Sequence, residues 1–303
     1  MIKVSFFSYK GGAGRSSVAY NVIPLMAKEL GATSTNPIVV VDMDIDSAGM
    51  TFLLSKERVK NDEKAWPDDV YSTDRLLVNK IPGLTFEPEE DGPIGSHPLF
   101  SKLAPVGNEF GLNDDQSILL IPVKLGTPVE TFDQGGESPL SKLSKLCKKY
   151  NCKALIFDTP TGDQLGAGWS LSVSDTIVCC MRITYQFRIG TINHLKRKDN
   201  EFEKKRFILV PNAVPQEDII VDGELRNFSA VKDDLINKFK GSFKLVHNEV
   251  DLGMFEGDFF GIPEVKRFKI EEGILLKAKK MQPDEEKAFA CFQRLAKLIC
   301  RPN

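Results

Sequence analysis

Histidine is scarce. Three stand in 303 residues, at 97, 194 and 247, far apart and without a metal-ligand spacing, so no imidazole chemistry is assigned to them. The six cysteines, at 147, 152, 179, 180, 291 and 300, include no CxxC pair and lie in or beside apolar segments, which reads as buried thiols rather than a zinc or redox site. An excess of one charge is also missing. Forty Lys and Arg against 42 Asp and Glu leave a net charge of -2 and a pI near 6.0, so no basic field advertises nucleic acid or an anionic membrane. No apolar run has the length of a membrane span, and the first residues run directly into a strand, leaving no room for a signal peptide. A cytoplasmic protein without membrane contact is expected. Internal repeats and low-complexity tracts are absent. What is present, 42% hydrophobic and 27% charged residues, is the composition of a globular chain long enough for one large core or two modest domains.

The stretch that organises the chain is Ser8-Tyr9-Lys10-Gly11-Gly12-Ala13-Gly14-Arg15-Ser16-Ser17, between a strand-like run, Ile2 to Phe7, and a helical one, Ser17 to Leu30. Glycines at 11, 12 and 14 let the backbone turn tightly, so that successive N–H groups and the helix N-terminus can converge on one anion. That is how a phosphate is cradled. The ordinary phosphate loop, G-x-x-x-x-G-K-[ST], has Tyr9 at its first glycine position here and Arg15 at its lysine position.

Apolar runs that end in an acid, Pro37 to Asp42 and Lys153 to Asp158, suit strands buried on both faces of a parallel sheet. Further strands are expected at Ser117 to Pro122, Thr176 to Met181, Phe207 to Val210 and Phe243 to His247. Helices are expected at Ser138 to Tyr150, Leu165 to Ser172, Phe187 to Lys198, Phe228 to Lys240 and Asp284 to Ile299. The internal Pro24 predicts that the first helix kinks or ends early. Strand and helix alternate, which predicts one α/β domain over residues 1–303, a doubly wound, mostly parallel sheet flanked by helices. Residues 55–116, rich in Pro, Gly, Asp and Glu, read as an irregular insertion, more a solvated excursion than a partner surface.

Lys10-Gly11-Gly12-x-Gly14, followed by a basic residue and two hydroxyls, resembles the deviant Walker A loop of the ParA/MinD ATPases, in particular the branch written KGGVGR. The resemblance is sharp over residues 2–52 and 153–182, thinner to about 275, and absent from 55–116. It implies ATP with Mg2+. The backbone of Gly11, Gly12, Ala13 and Gly14 and the side chains of Arg15, Ser16 and Ser17 would hold the phosphates, with the Ser16 hydroxyl on the metal. Asp158 resembles the Walker B acid, which holds magnesium through water. Asp42-Met43-Asp44-Ile45-Asp46-Ser47-Ala48-Gly49 resembles switch I, with Asp42 near the metal shell and Asp44 orienting the attacking water. Asp46 departs from the Pro or Gly usual there, and a turn or capping role stands equal to a functional one. Lys10 resembles the signature lysine that reaches across an ATP-dependent homodimer to the partner's phosphates. Asn212 resembles the adenine-side asparagine, and Pro263, after Gly261-Ile262, the late base-facing loop. An Asn amide both donates and accepts, and no N-K-x-D guanine signature is present, so ATP is favoured over GTP.

Phe289, Phe292, Leu295, Ala296 and Ile299 line one face of the last helix. That stripe reads as core packing rather than as a membrane-binding helix of the MinD kind. The sequence thus predicts a slow, cytoplasmic ATPase whose nucleotide-dependent dimer signals to an unidentified protein partner. The alternative is a hydrolysis-poor regulatory or scaffolding subunit of a multi-protein system. A nitrogenase-iron-protein-like carrier is disfavoured for want of a cysteine pair suited to a bridging cluster, and a tyrosine kinase for want of a tyrosine cluster in the tail.

Overall fold

The computed structural model describes residues 1–58, 66, 69–77, 92–124, 137–162, 164–197, 205–215, 219–221, 224–226, 233, 237, 250–255, 260–270 and 273–301. Among the described residues, eight strands form one sheet. In chain order they are β1 (Ile2–Phe7), β2 (Ile38–Asp42), β3 (Ala104–Pro105), β4 (Ile118–Ile121), β5 (Ala154–Asp158), β6 (Thr176–Met181), β7 (Arg206–Pro211) and, after the two-stranded hairpin β8 (Ile219–Val221) and β9 (Glu224–Arg226), β10 (Val250–Asp251). Their spatial order is β10-β7-β6-β1-β5-β2-β4-β3, all parallel except β3, which runs antiparallel to β4. The helices are α1 (Arg15–Leu30), α2 (Gly49–Arg58), α3 (Thr73–Leu77), α4 (Pro139–Lys149), α5 (Leu165–Val173), α6 (Tyr185–Arg197) and α7 (Pro283–Cys300).

The apolar runs have a simple cause. In β2, β4 and β5 successive residues bury into two different cores. Ile38, Val40, Ile118, Leu120, Ala154 and Ile156 join one cluster with α1 and α7, while Val39, Val41, Leu119, Ile121, Leu155 and Phe157 join another with α4. With both faces covered, no polar alternation survives. Each fully buried Val, Leu, Ile or Phe contributes roughly 1.5–3 kcal/mol. Helix α7 packs along α1 through Phe292, Leu295, Ala296 and Ile299, all buried, with Phe289 partly so. The six cysteines are free thiols, five of them buried.

Two expectations are corrected. Of the two outcomes expected at Pro24, the early end does not occur: helix α1 continues to Leu30, where Gly31 (φ 60°) closes it and Ala32 N–H donates to Ala27. Pro24 costs one hydrogen bond, and its turn is held by burial of Val22, Ile23, Leu25 and Met26 on both sides. The described part of 55–116 is irregular in secondary structure but is not a solvated excursion. Leu76, Leu77, Leu99, Phe100 and Leu103 are buried, His97 and Phe100 pack edge-on against Tyr150 at 5.3 and 5.4 Å, and β3 extends the sheet. The strand expected at Phe243 to His247 and most of the helix expected at Phe228 to Lys240 lie outside the described residues.

Candidate nucleotide-binding site

Residues singled out by their chemistry collect at the carboxyl ends of five parallel strands, where open α/β sheets present their ligand crevice. The glycine loop follows β1, Asp42 ends β2, Asp158 ends β5, Arg182 follows β6, and Asn212 follows β7. The loop enters α1 with Gly12 at φ 80° and Gly14 at φ 75°, and no side chain caps the helix, so its first donors remain available to an anion. At Gly11 and Gly12 an added Cβ would meet nothing within 4 Å, whereas at Gly14 it would stand 2.3 Å from Asn212 Nδ2. That amide donates to the Ala13 carbonyl at 2.8 Å, and Arg182 Nε donates to the Gly12 carbonyl at 3.1 Å. The phosphate loop is therefore tied from behind by the ends of β6 and β7.

Asp42 and Asp158 are register partners on adjacent strands, both fully buried. Asp42 accepts hydrogen bonds from Thr51 N–H (2.8 Å), Thr51 Oγ1 (2.7 Å) and Asp44 N–H (3.2 Å). Thr51 Oγ1 in turn accepts from Val123 N–H at 2.9 Å, which fixes α2 to the end of β4. Arg15 is buried as well. Its Nε donates to Asp158 Oδ1 at 2.7 Å and its Nη2 to Asp44 Oδ2 at 2.6 Å. Burial opposes the guanidinium charge, but Asp158 and Asp44 more than offset it and hold Arg15 above its ordinary value. Burial, reinforced by Asp158, pushes the Asp42 carboxyl up to about 7. Burial also raises Asp158, against the pull of Arg15 and, less, of the Ser16 hydroxyl.

The donor set fits a nucleotide phosphate and a divalent ion. Arg15 Nη1 and Asp158 Oδ2 are buried polar atoms without a hydrogen-bond partner, one a cationic donor and the other an anionic acceptor, which a phosphate oxygen and a metal-bound water would respectively satisfy. Among the described residues no group of three or more His, Cys, Asp or Glu is arranged to hold a metal. An ion here would therefore complete its shell with the Ser16 hydroxyl and with phosphate or water oxygens, as hard divalent ions do. Ser16 lies under the switch segment, since a Cβ on Gly49 would come within 2.9 Å of its Oγ.

Beside the loop is a cavity of about 130 Å3 lined by Gly14, Ser17, Arg182, Asn212, Pro263 and Phe268, among others. Its far wall is the 261–264 segment, clamped to the end of β7 by Ile262 N–H on Pro211 O and by Val214 N–H on Ile262 O. Gly261 (φ 66°) is required there, because a Cβ would lie 2.3 Å from Pro211 O. A larger open groove of about 780 Å3, over Lys266 and Lys287, lies outside this constellation. Its flanking charges are paired, Arg267 with Glu285 at 3.0 Å and Lys269 with Glu264 at 3.2 Å.

The structure thus gathers Gly11 to Ser17, Asp42, Asp44 and Asp158 around one loop and puts Asn212 and Pro263 at its side. Lys10 is apart. It is exposed on the outer side of the loop, donating to Gln186 Oε1 at 2.8 Å with its ammonium 5.6 Å from the Phe187 ring centroid. Asp46 stands exposed on the turn before α2. Three residues were missed by sequence reasoning. Arg182 carried a usable signal, a basic residue immediately after a buried strand; Thr51 carried none. Tyr9, noted only as a departure from the loop pattern, packs its ring against Gly190, where a Cβ would stand 2.4 Å from it.

These features define a strand–loop–helix candidate phosphate site on a doubly wound α/β fold. The fold is that of MinD and ParA-type P-loop ATPases. The chain superposes on the MinD cell division protein of Aquifex aeolicus with a TM-score of 0.60 at 16% identity, covering 98% of each chain. It superposes on MinD of Pyrococcus horikoshii OT3, complexed with Mg-ADP, with a TM-score of 0.57 at 16% identity, covering 99% of this chain and 96% of that one. A ParA family ATPase from Chlorobium tepidum TLS gives 0.58 at 15% identity, with 98% of each chain covered. In sequence, no family model and no curated protein matches the chain. No helix among the described residues is long and apolar enough to cross a membrane.

Proposed function

We propose that the chain is an ATP-binding switch that hydrolyses ATP slowly with Mg2+ and works as a nucleotide-dependent homodimer signalling to a protein partner in the cytoplasm. The observation that carries this reading is the convergence of a glycine loop, a buried arginine and two strand-end carboxylates with an adjacent base-sized cavity. Backbone N–H groups of Gly11 to Gly14, Arg15 and the hydroxyls of Ser16 and Ser17 hold the phosphates. Ser16, Asp42 and Asp158 would hold the metal, which when bound would neutralise charge that develops on the transferring phosphoryl group. Asp44 orients the attacking water. Asn212 has its amide donor on Ala13, which leaves its Oδ1 to accept from the exocyclic amine of adenine, with Pro263 against the base. Lys10, exposed and separate from the phosphate side, is free to act on the nucleotide of a second copy. Dimerisation and turnover are then linked, because charge supplied in trans stabilises the transition state.

A second reading, a hydrolysis-poor regulatory or scaffolding subunit, is favoured by one observation, the engagement of Arg15 with both Asp44 and Asp158. Phosphate release by wild type and Asp44→Ala separates the two. The switch reading expects turnover in wild type and its loss in Asp44→Ala with ATP binding preserved, since a water-orienting carboxylate acts on the transition state. Equal, background-level release by both proteins supports the scaffolding reading.

A further inference from the structure

Arg15 stands as a buried cation between Asp44 and Asp158. Its Nε and Nη2 already engage one oxygen of each carboxylate, at 2.7 and 2.6 Å, in a buried setting. The segment that carries Asp44 is held down at the same time. Asp44 Oδ1 accepts from Ser47 N–H, Asp44 N–H donates to Asp42, and Gly49 is packed on the Ser16 hydroxyl. A divalent ion entering beside a buried guanidinium meets repulsion and finds Asp158 Oδ1 and Asp44 Oδ2 already engaged.

We propose that Arg15 is a built-in cation that excludes divalent metal from Asp44 and Asp158 in the nucleotide-free protein. Arrival of phosphate offers the guanidinium a competing anionic partner, beginning with the unpartnered Nη1. As Arg15 turns to phosphate, the two carboxylates lose their cation and the site acquires its affinity for metal. Nucleotide therefore binds without metal, and it raises metal affinity by the factor by which metal raises nucleotide affinity. This last step rests on the proposed nucleotide site; the exclusion itself does not.

The test uses Mn2+ as a paramagnetic probe on the full chain, with bound ion counted by loss of the free-ion resonance signal. Nucleotide-free wild type should bind no stoichiometric Mn2+. Arg15→Gln, which removes the charge, should bind one ion per chain at least about tenfold more tightly than wild type, because two uncompensated buried carboxylates gain strongly from any cation. Arg15→Gln/Asp158→Asn should lose that ion. Arg15→Lys, whose single ammonium cannot fork between two carboxylates, should fall between wild type and Arg15→Gln, and it carries the test if the circular dichroism of Arg15→Gln is not native. Equal Mn2+ binding by wild type and the charge-removing or Lys variant overturns the exclusion. So does binding that survives Asp158→Asn. A fluorescent ATP analogue added to wild type in EDTA tests the nucleotide site separately. Failure to bind would overturn the nucleotide reading alone, whereas binding that leaves Mn2+ affinity unchanged would overturn the exchange of partners by Arg15.

Discussion

The two halves of the proposed nucleotide site are built on opposite terms. On the metal side Arg15, Asp42, Asp44 and Asp158 are buried together, and Arg15 already bonds one oxygen each of Asp44 and Asp158, so a cation is in place among the carboxylates before any ligand arrives. On the base side Arg182 and Asn212 are only partly buried, each spends a donor on a loop carbonyl, and beside them a cavity stands open. The base half is shaped to receive. The metal half is preloaded and must exchange a partner before it can act, and its energetics are accordingly those of a buried ion network rather than of a pocket.

The sharpest way to break this contrast is Arg15→Ala. It leaves two buried carboxylates without a cation and should cost about 3–5 kcal/mol of stability, read from the urea midpoint of the nucleotide-free protein. An unmoved midpoint would show that the metal half is not self-compensated. A somewhat smaller effect is expected from pH. Burial and the neighbouring Asp158 push the Asp42 carboxyl up to about 7 from an ordinary 3.8, so between those values the folded state holds the extra proton. Stability should fall as pH rises from about 4 to about 7 and level off above, by about 2–4 kcal/mol in all. Asp42→Asn should flatten that slope, and an unchanged slope would assign the titration elsewhere.

Asn212→Ala sharpens the contrast from the other side. Loss of one partly exposed hydrogen bond to Ala13 should cost about 1 kcal/mol of stability, and calorimetry should show ATP affinity reduced by up to about tenfold. A loss as large as that of Arg15→Ala would make the two halves alike. Lys10→Ala should have the smallest effect on folding, within about 0.5 kcal/mol, because its ammonium is exposed, donating to Gln186 and lying over the Phe187 ring. Its consequence should appear only in ATP-dependent dimers, weakened by about tenfold or more in sedimentation with a slowly hydrolysed analogue. A monomer stability change larger than the dimer effect would return Lys10 to a structural role.

Much of the fold was legible because strands buried on both faces write themselves as unbroken apolar runs. Ile38 to Val41 and Ala154 to Phe157 could be read without knowing their neighbours. Pro24 misled because a local rule about proline is silent on the packing that surrounds it. Residues 55–116 misled for the converse reason, since Leu99, Phe100 and Leu103 bury without any periodicity. At the site, the glycine pattern and the family resemblance singled out the loop, Asp44 and Asp158, which the fold brings together through Arg15. The partner of Arg15 was not legible, because a guanidinium beside a glycine loop can turn toward ligand or toward carboxylates 29 and 143 residues away, and only the fold decides. Thr51 was beyond reach for the same reason.

One outermost strand carries a consequence for life at high concentration. The margin beyond β4 is closed by β3, a strand of two residues. β3 ends in Pro105, which has no N–H to offer to a further strand. A long parallel sheet with flat, open margins invites neighbouring molecules to add strands and aggregate. Here the β3 margin stops after two residues, the second a proline, so that side of the sheet gives an incoming strand almost nothing to continue.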